Sequence, residues 1–123
     1  MSEAMELGKH EVDMSVYAKV AAHEALLQEG VVRLNVGMTE KLGMNKTPGV
    51  TARMEEDGEL HIDISVIVRY GTDLRQLGPA IQEAVLTGIH RMSDQPVGQI
   101  NVYIADIDFG EPGASSANEG KES

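Results

Sequence analysis

The chain is expected to fold as an α+β two-layer sandwich, a mainly antiparallel sheet with two helices on one face, in the order α-β-β-β-α-β. Three observations carry that expectation. Residues 49–70, GVTARMEEDGELHIDISVIVRY, alternate apolar and polar side chains on both sides of Asp57-Gly58, the pattern of a hairpin with one buried face. Leu74, Leu77, Ile81, Val85, Ile89 and Met92 recur at helical spacing, one apolar stripe on a long helix. Strands that are apolar on one face and helices that are apolar on one side bury those surfaces by packing on each other.

The first helix is expected over 15–29. Val16, Val20 and Leu27 fall on one side, with His23 between them as a hydrogen-bonded boundary histidine. Ala18, Ala21, Ala22 and Ala25 supply helix propensity, and Gly30 stands where a C-terminal cap belongs. VVRLNV (31–36) is rich in β-branched residues and reads as a strand, followed by a polar, glycine-punctuated connection over 37–48. In the hairpin, Val50, Ala52 and Met54 alternate with Thr51, Arg53 and Glu55, and Leu60, Ile62, Ile64, Val66 and Val68 line the inner face of the return strand.

Asp73 and Gln76 are spaced as an N-cap and its reciprocal partner for the second helix. Gly78-Pro79 lies inside the stripe, so that helix either kinks there or restarts with Pro79 in its first turn. QINVYIADIDF (99–109) turns Ile100, Val102 and Ile104 inward, then resumes with Ile107 and Phe109. The one-residue slip predicts a bulge near Ala105-Asp106.

With 123 residues the chain has room for one domain, placed at 14–109 between a loose segment at 1–13 and a tail at 110–123. The tail, GEPGASSANEGKES, holds no large apolar residue and is expected to be disordered. Twenty acidic against ten basic residues give a formal charge of −10, which repels phosphate backbones and anionic lipid and argues against nucleic acid as a partner. The absence of cysteine removes thiolate ligands and thiol nucleophiles and suits the cytoplasm. No apolar run approaches the roughly 20 residues of a membrane span, so direct insertion is not expected.

His61, Asp63 and Ser65, every second residue of one strand, are the residue types of a hydrolase triad. Their order is wrong for that chemistry. The acid stands between base and nucleophile, Ser65 lies roughly 13 Å from the imidazole's Cβ, and a flat strand face builds no oxyanion hole. Neither do His61 and Asp63 alone complete a metal site, and DIDFGE (106–111) lacks the later ligands of a calcium loop. The row is therefore read as the wet face of the sheet, which also carries Thr51, Arg53, Arg69, Gln99, Asn101 and Tyr103. No catalytic residue, cofactor or metal is expected. Arg53, His61, Asp63, Arg69, Asn101 and Tyr103 are the candidate interaction face.

Several small motifs recur in order: EGV at 29–31, GV at 49–50, VRYG at 68–71, Leu74, Ile81-Gln82 and Val85, and V-x-x-INVYIADIDF at 97–109. As an ordered set over 14–109 they resemble the alkaline shock protein family, the envelope stress response family of Gram-positive bacteria. That resemblance implies a non-enzymatic cytoplasmic protein that self-associates and gathers at the inner face of the membrane through a membrane-anchored protein partner. Some relatives are linked instead to control of fatty-acid metabolism, which makes a binding or regulatory module the alternative. In that alternative Arg53, Arg69 and His61 would form a local basic spot.

Overall fold

A computed structural model of the chain describes residues 7–37 and 47–110. The elements are α1 (Met14–Leu26), β1 (Val31–Leu34), β2 (Val50–Met54), β3 (Leu60–Arg69), α2 (Leu74–Met92) and β4 (Val97–Asp108), in the expected order. The 37–48 connection and the 110–123 tail fall almost wholly outside the described residues, as do residues 1–6. Residues 7–13 form neither helix nor strand, but Val12 packs on the core and the Asp13 carboxylate accepts the Ser15 N–H at 3.0 Å to cap α1.

β3 organises the sheet. β2 pairs antiparallel with its first half, from Leu60 to Ile64, and β1 antiparallel with Val66 to Val68. Both lie along the same edge, and Ser65 is the junction. Its N–H donates to the Gly49 carbonyl at 2.9 Å and its own carbonyl accepts the Asn35 N–H at 2.8 Å. The other edge of β3 pairs with β4 along its length, and there the strands are parallel. Two of the three pairings are antiparallel, as the hairpin pattern predicts. The third is parallel because α2 intervenes and returns the chain to the starting end of β3, the crossover that parallel neighbours require. The Asp57-Gly58 turn forms as predicted: the Gly58 N–H donates to the Glu55 carbonyl at 2.9 Å, and Gly58 takes φ +85°.

Leu60, Ile62, Ile64, Val66 and Val68 are fully buried on the inner face. Each such side chain removed from water contributes about 1.5–3 kcal/mol before the entropy of ordering it. Leu77, Ile81, Val85 and Ile89 of α2 close over them, whereas Leu74 and Met92, the outer members of the predicted stripe, are exposed at the helix ends. α2 lies over β4, α1 over β2 and β1, and the helices pack on each other, so both occupy one face.

α2 corrects one expectation. It runs unbroken from its Asp73 cap through Pro79. Pro79 and Arg75 are both exposed, so the carbonyl that forfeits its helical donor faces solvent, where water replaces the bond.

α1 corrects three. It ends at Leu26 rather than 29, and Gly30 is not its cap. Gly30 takes φ +103° and its carbonyl accepts the Arg69 N–H, so it opens β1. The buried stripe is Tyr17, Ala18, Ala21 and Ala25, with Val16 and Val20 only partly covered and Leu27 exposed. His23 is exposed as well, rotated away with the valine side. Close approach decides the face: the small alanine side lets α1 lie against the sheet and α2. At the crossing, a Cβ on Gly88 would stand 2.8 Å from the Glu24 Cγ.

Candidate functional site

The register sets the polar residues of the open face in rows. Arg53 lies beside His61, Thr51 beside Asp63, Asp63 beside Asn101, Ser65 beside Tyr103, and Arg69 beside Asp108. All six candidate interaction residues therefore share the face away from the helices. Arg53, Asp63 and Asn101 meet in one network. The Asp63 carboxylate accepts from Asn101 Nδ2 at 2.8 Å, Arg53 Nη1 at 3.0 Å and Thr51 Oγ1 at 3.3 Å, joining β2, β3 and β4. Arg53 is shared with Glu55, whose carboxylate accepts its Nε at 2.6 Å. The hydrogen bond to Glu55, then that to Asp63, holds the guanidinium above its ordinary range.

His61 is largely covered, its side chain 16% exposed, and its Nδ1 has no hydrogen-bond partner, with Glu55 Oε2 at 3.9 Å. Its other nitrogen crowds Gly98, where a Cβ would stand 2.7 Å away. The Ser65 hydroxyl accepts from Asn35 Nδ2 at 3.3 Å on the far side of Asp63. The acid binds donors from the flanking strands, and the serine is tied to the segment after β1. The row that resembles a triad is a cross-strand lattice.

Arg69 stands apart. It lies eight residues from His61 along β3, roughly 26 Å at the rise of a strand. Arg53 meanwhile is engaged by two carboxylates. The local basic spot of Arg53, Arg69 and His61 is thus absent, because strand geometry separates two members and ion pairing occupies the third. Tyr103 is 55% exposed next to the network, and Tyr70 and Phe109 pack their rings 5.0 Å apart at the sheet's end.

Two features escaped the sequence reading. The first is Gly98, which occupies a second register slip between β3 and β4, where a side chain would strike Glu59 and His61. A glycine inside a β-branched run is the usual mark of such a bulge. The second is the outer edge of β4, which has no strand neighbour among the described residues. Placing it required knowing that β4 returns parallel to the outside of the sheet. Gln82 of α2 reaches this strand, its Nε2 donating to the Ile100 carbonyl at 3.0 Å.

Among the described residues no helix is long and apolar enough to cross a membrane. In sequence the chain is 28% identical over 112 residues to the uncharacterised protein YloU of Bacillus subtilis strain 168, covering 85% of this chain and 92% of that one. It is 30% identical over 59 residues to the uncharacterised protein Spy1535 of Streptococcus pyogenes serotype M6, covering 48% and 46%. In structure it is similar to the MamM CTD in its copper form, with a TM-score of 0.54 and 17% identity over 89% of this chain and 96% of that one, a likeness of fold alone. The family model for alkaline shock protein 23, described as having a cell envelope-related function, matches residues 2–109, which take in every helix and strand described above. Motif order, element order and that match agree, and the chain belongs to the alkaline shock protein 23 family.

Proposed function

We propose that the protein is a non-enzymatic scaffold of the cell envelope response, held at the inner face of the membrane by a membrane-anchored protein partner and working through protein contacts. The observation that carries this reading is the satisfied lattice around Asp63. The acid, the amide and the guanidinium that would have to do chemistry are spent on holding three strands together. A carboxylate whose oxygens are taken up by three donors from the neighbouring strands braces the sheet and offers no free face to a substrate. The family's envelope-related function supports the location. A net charge of −10 gives little attraction to anionic lipid, so recruitment falls to a protein.

The test separates lipid from protein. Purified full-length chain is mixed with anionic vesicles at physiological salt and sedimented, and its distribution in cells is compared with and without the anchor partner identified by pull-down. The expected result is no cosedimentation, together with membrane association in cells that disappears when the partner is deleted. Strong binding to bare vesicles overturns the mechanism.

A further inference from the structure

We infer that the outer edge of β4 is a self-pairing surface, joining two copies of this chain antiparallel about a two-fold axis at Val102 into one continuous sheet. The inference rests on the reading of the protein as an interaction scaffold and names the surface and the partner.

Backbone geometry leaves the edge open. The Leu60 N–H donates to the Pro96 carbonyl and the Tyr70 N–H to the Asp108 carbonyl, so the even residues of β3 address β4. With Ile62 opposite Ile100 and Ile64 opposite Val102, Gln99, Asn101 and Tyr103 turn their backbone toward β3. Ile100, Val102 and Ile104 turn theirs outward. Exposed edges are ordinarily blunted by charge, proline or shortness. This one is twelve residues long, and Val97 to Ala105 carry neither a charge nor a proline. The device present is the Gln82 amide on the Ile100 carbonyl, a flexible side chain on an acceptor with a second lone pair.

A second copy is the occupant that the side chains fit. Around Val102 the sequence reads Ile-Asn-Val-Tyr-Ile, so a two-fold there sets Ile100 against Ile104, Val102 against Val102 and Asn101 against Tyr103. Apolar meets apolar on the helix side, and polar or aromatic meets the same on the open side. Electrostatics favour the same antiparallel sense in a chain of charge −10. Asp106 of one copy falls opposite Gly98 of the other, whereas parallel pairing in register would stack Asp106 on Asp106. Ile100, Val102 and Ile104 are only partly buried at the core's margin, and Leu86, one helical turn on from the Gln82 that reaches Ile100, is 37% exposed. Pairing extends the apolar layer over these groups.

Sedimentation equilibrium of the purified full chain, with residue-resolved amide exchange, tests this without the anchor partner. The expected result is a concentration-dependent dimer in which the amides of Ile100, Val102 and Ile104 exchange slowly and become fast on dilution. Tyr103→Glu, on the exposed open face, and Leu86→Glu, on the helix flank, are each expected to raise the dimer dissociation constant at least about tenfold with an unchanged far-ultraviolet spectrum. A monomer up to about millimolar concentration, a dimer whose three outward amides stay fast, or a dimer indifferent to both substitutions overturns the pairing. Recruitment of these variants to the membrane in cells reports separately on the anchor partner, so failure of one reading is distinguishable from failure of the other.

Discussion

Replacing Asp63 with alanine removes the carboxylate that joins β2, β3 and β4 across the open face. Three donors lose their acceptor, but not equally. Arg53 keeps Glu55 at 2.6 Å, and Asn101 Nδ2 keeps Gln99 Oε1 at 3.3 Å. The Thr51 hydroxyl is only partly covered and can turn to water. The Arg53 pair is half exposed and worth about 0.5 kcal/mol, and the better-placed Asn101 bond to a charged acceptor about 1 kcal/mol once partial rescue is allowed for. The expected loss is about 1–2 kcal/mol, or roughly 5–15 °C in thermal midpoint for a domain of about 100 residues. Urea unfolding followed by far-ultraviolet circular dichroism gives the difference from the shift in midpoint at constant slope. A loss under about 0.3 kcal/mol would mean that the lattice holds nothing together, and one above about 4 kcal/mol that Asp63 is a buried pivot rather than a half-wet strut. The same purified variant should show no lost hydrolysis of model esters, since none is expected in the parent.

Ile62→Ala, which empties a fully buried site at the centre of the sheet, is expected to cost about 2–5 kcal/mol in urea unfolding, with a value below about 1 kcal/mol contradicting the inner face. Gly30 and Gly71 both take positive φ, but a Cβ on Gly30 would stand 2.7 Å from the Thr72 side chain, whereas one on Gly71 would meet nothing within 4 Å beyond its own chain neighbours. Alanine at either site should destabilise by about 1–3 kcal/mol, the larger loss at Gly30, and Thr72→Ala should recover part of the Gly30→Ala loss but none of the Gly71→Ala loss. The side-chain hydrogen bond from Arg75, helped by backbone N–H groups and opposed by partial desolvation, holds the Asp73 carboxyl below its ordinary 3.8. A depressed folded pKa contributes stability that is present above the unfolded value and lost as pH falls through the folded one. Asp73→Ala should therefore lower the thermal midpoint at pH 7, and the gap from the parent should narrow below about pH 4. A gap that widens in acid would show that the carboxylate does not cap α2.

The hairpin and the stripe of α2 were legible because their signals are local. Alternation from Leu60 to Val68 and the recurrence of Leu77, Ile81, Val85 and Ile89 each name a buried face without reference to the rest of the chain. The slip at Ala105 was legible for the same reason, since one extra residue breaks a period of two. α1 was not, because two faces compete there: valines suggest one by hydrophobicity, alanines the other by size. The Gly88 crossing that favours the small face lies more than sixty residues away.

The candidate site divides along the same line. Sequence alone determined which side chains share the open face, because alternation along a strand is a property of the backbone. It likewise determined that His61, Asp63 and Ser65 stand in the wrong order for a triad. Tertiary structure alone decided that β2 and β1 divide one edge of β3 at Ser65, that Asp63 collects donors from the strands on both sides of it, and that β4 lies parallel at the rim with no strand neighbour on its outer edge among the described residues. Those outcomes depend on register between segments distant in the chain. Register is set by packing of the whole core, which no single stretch of residues encodes.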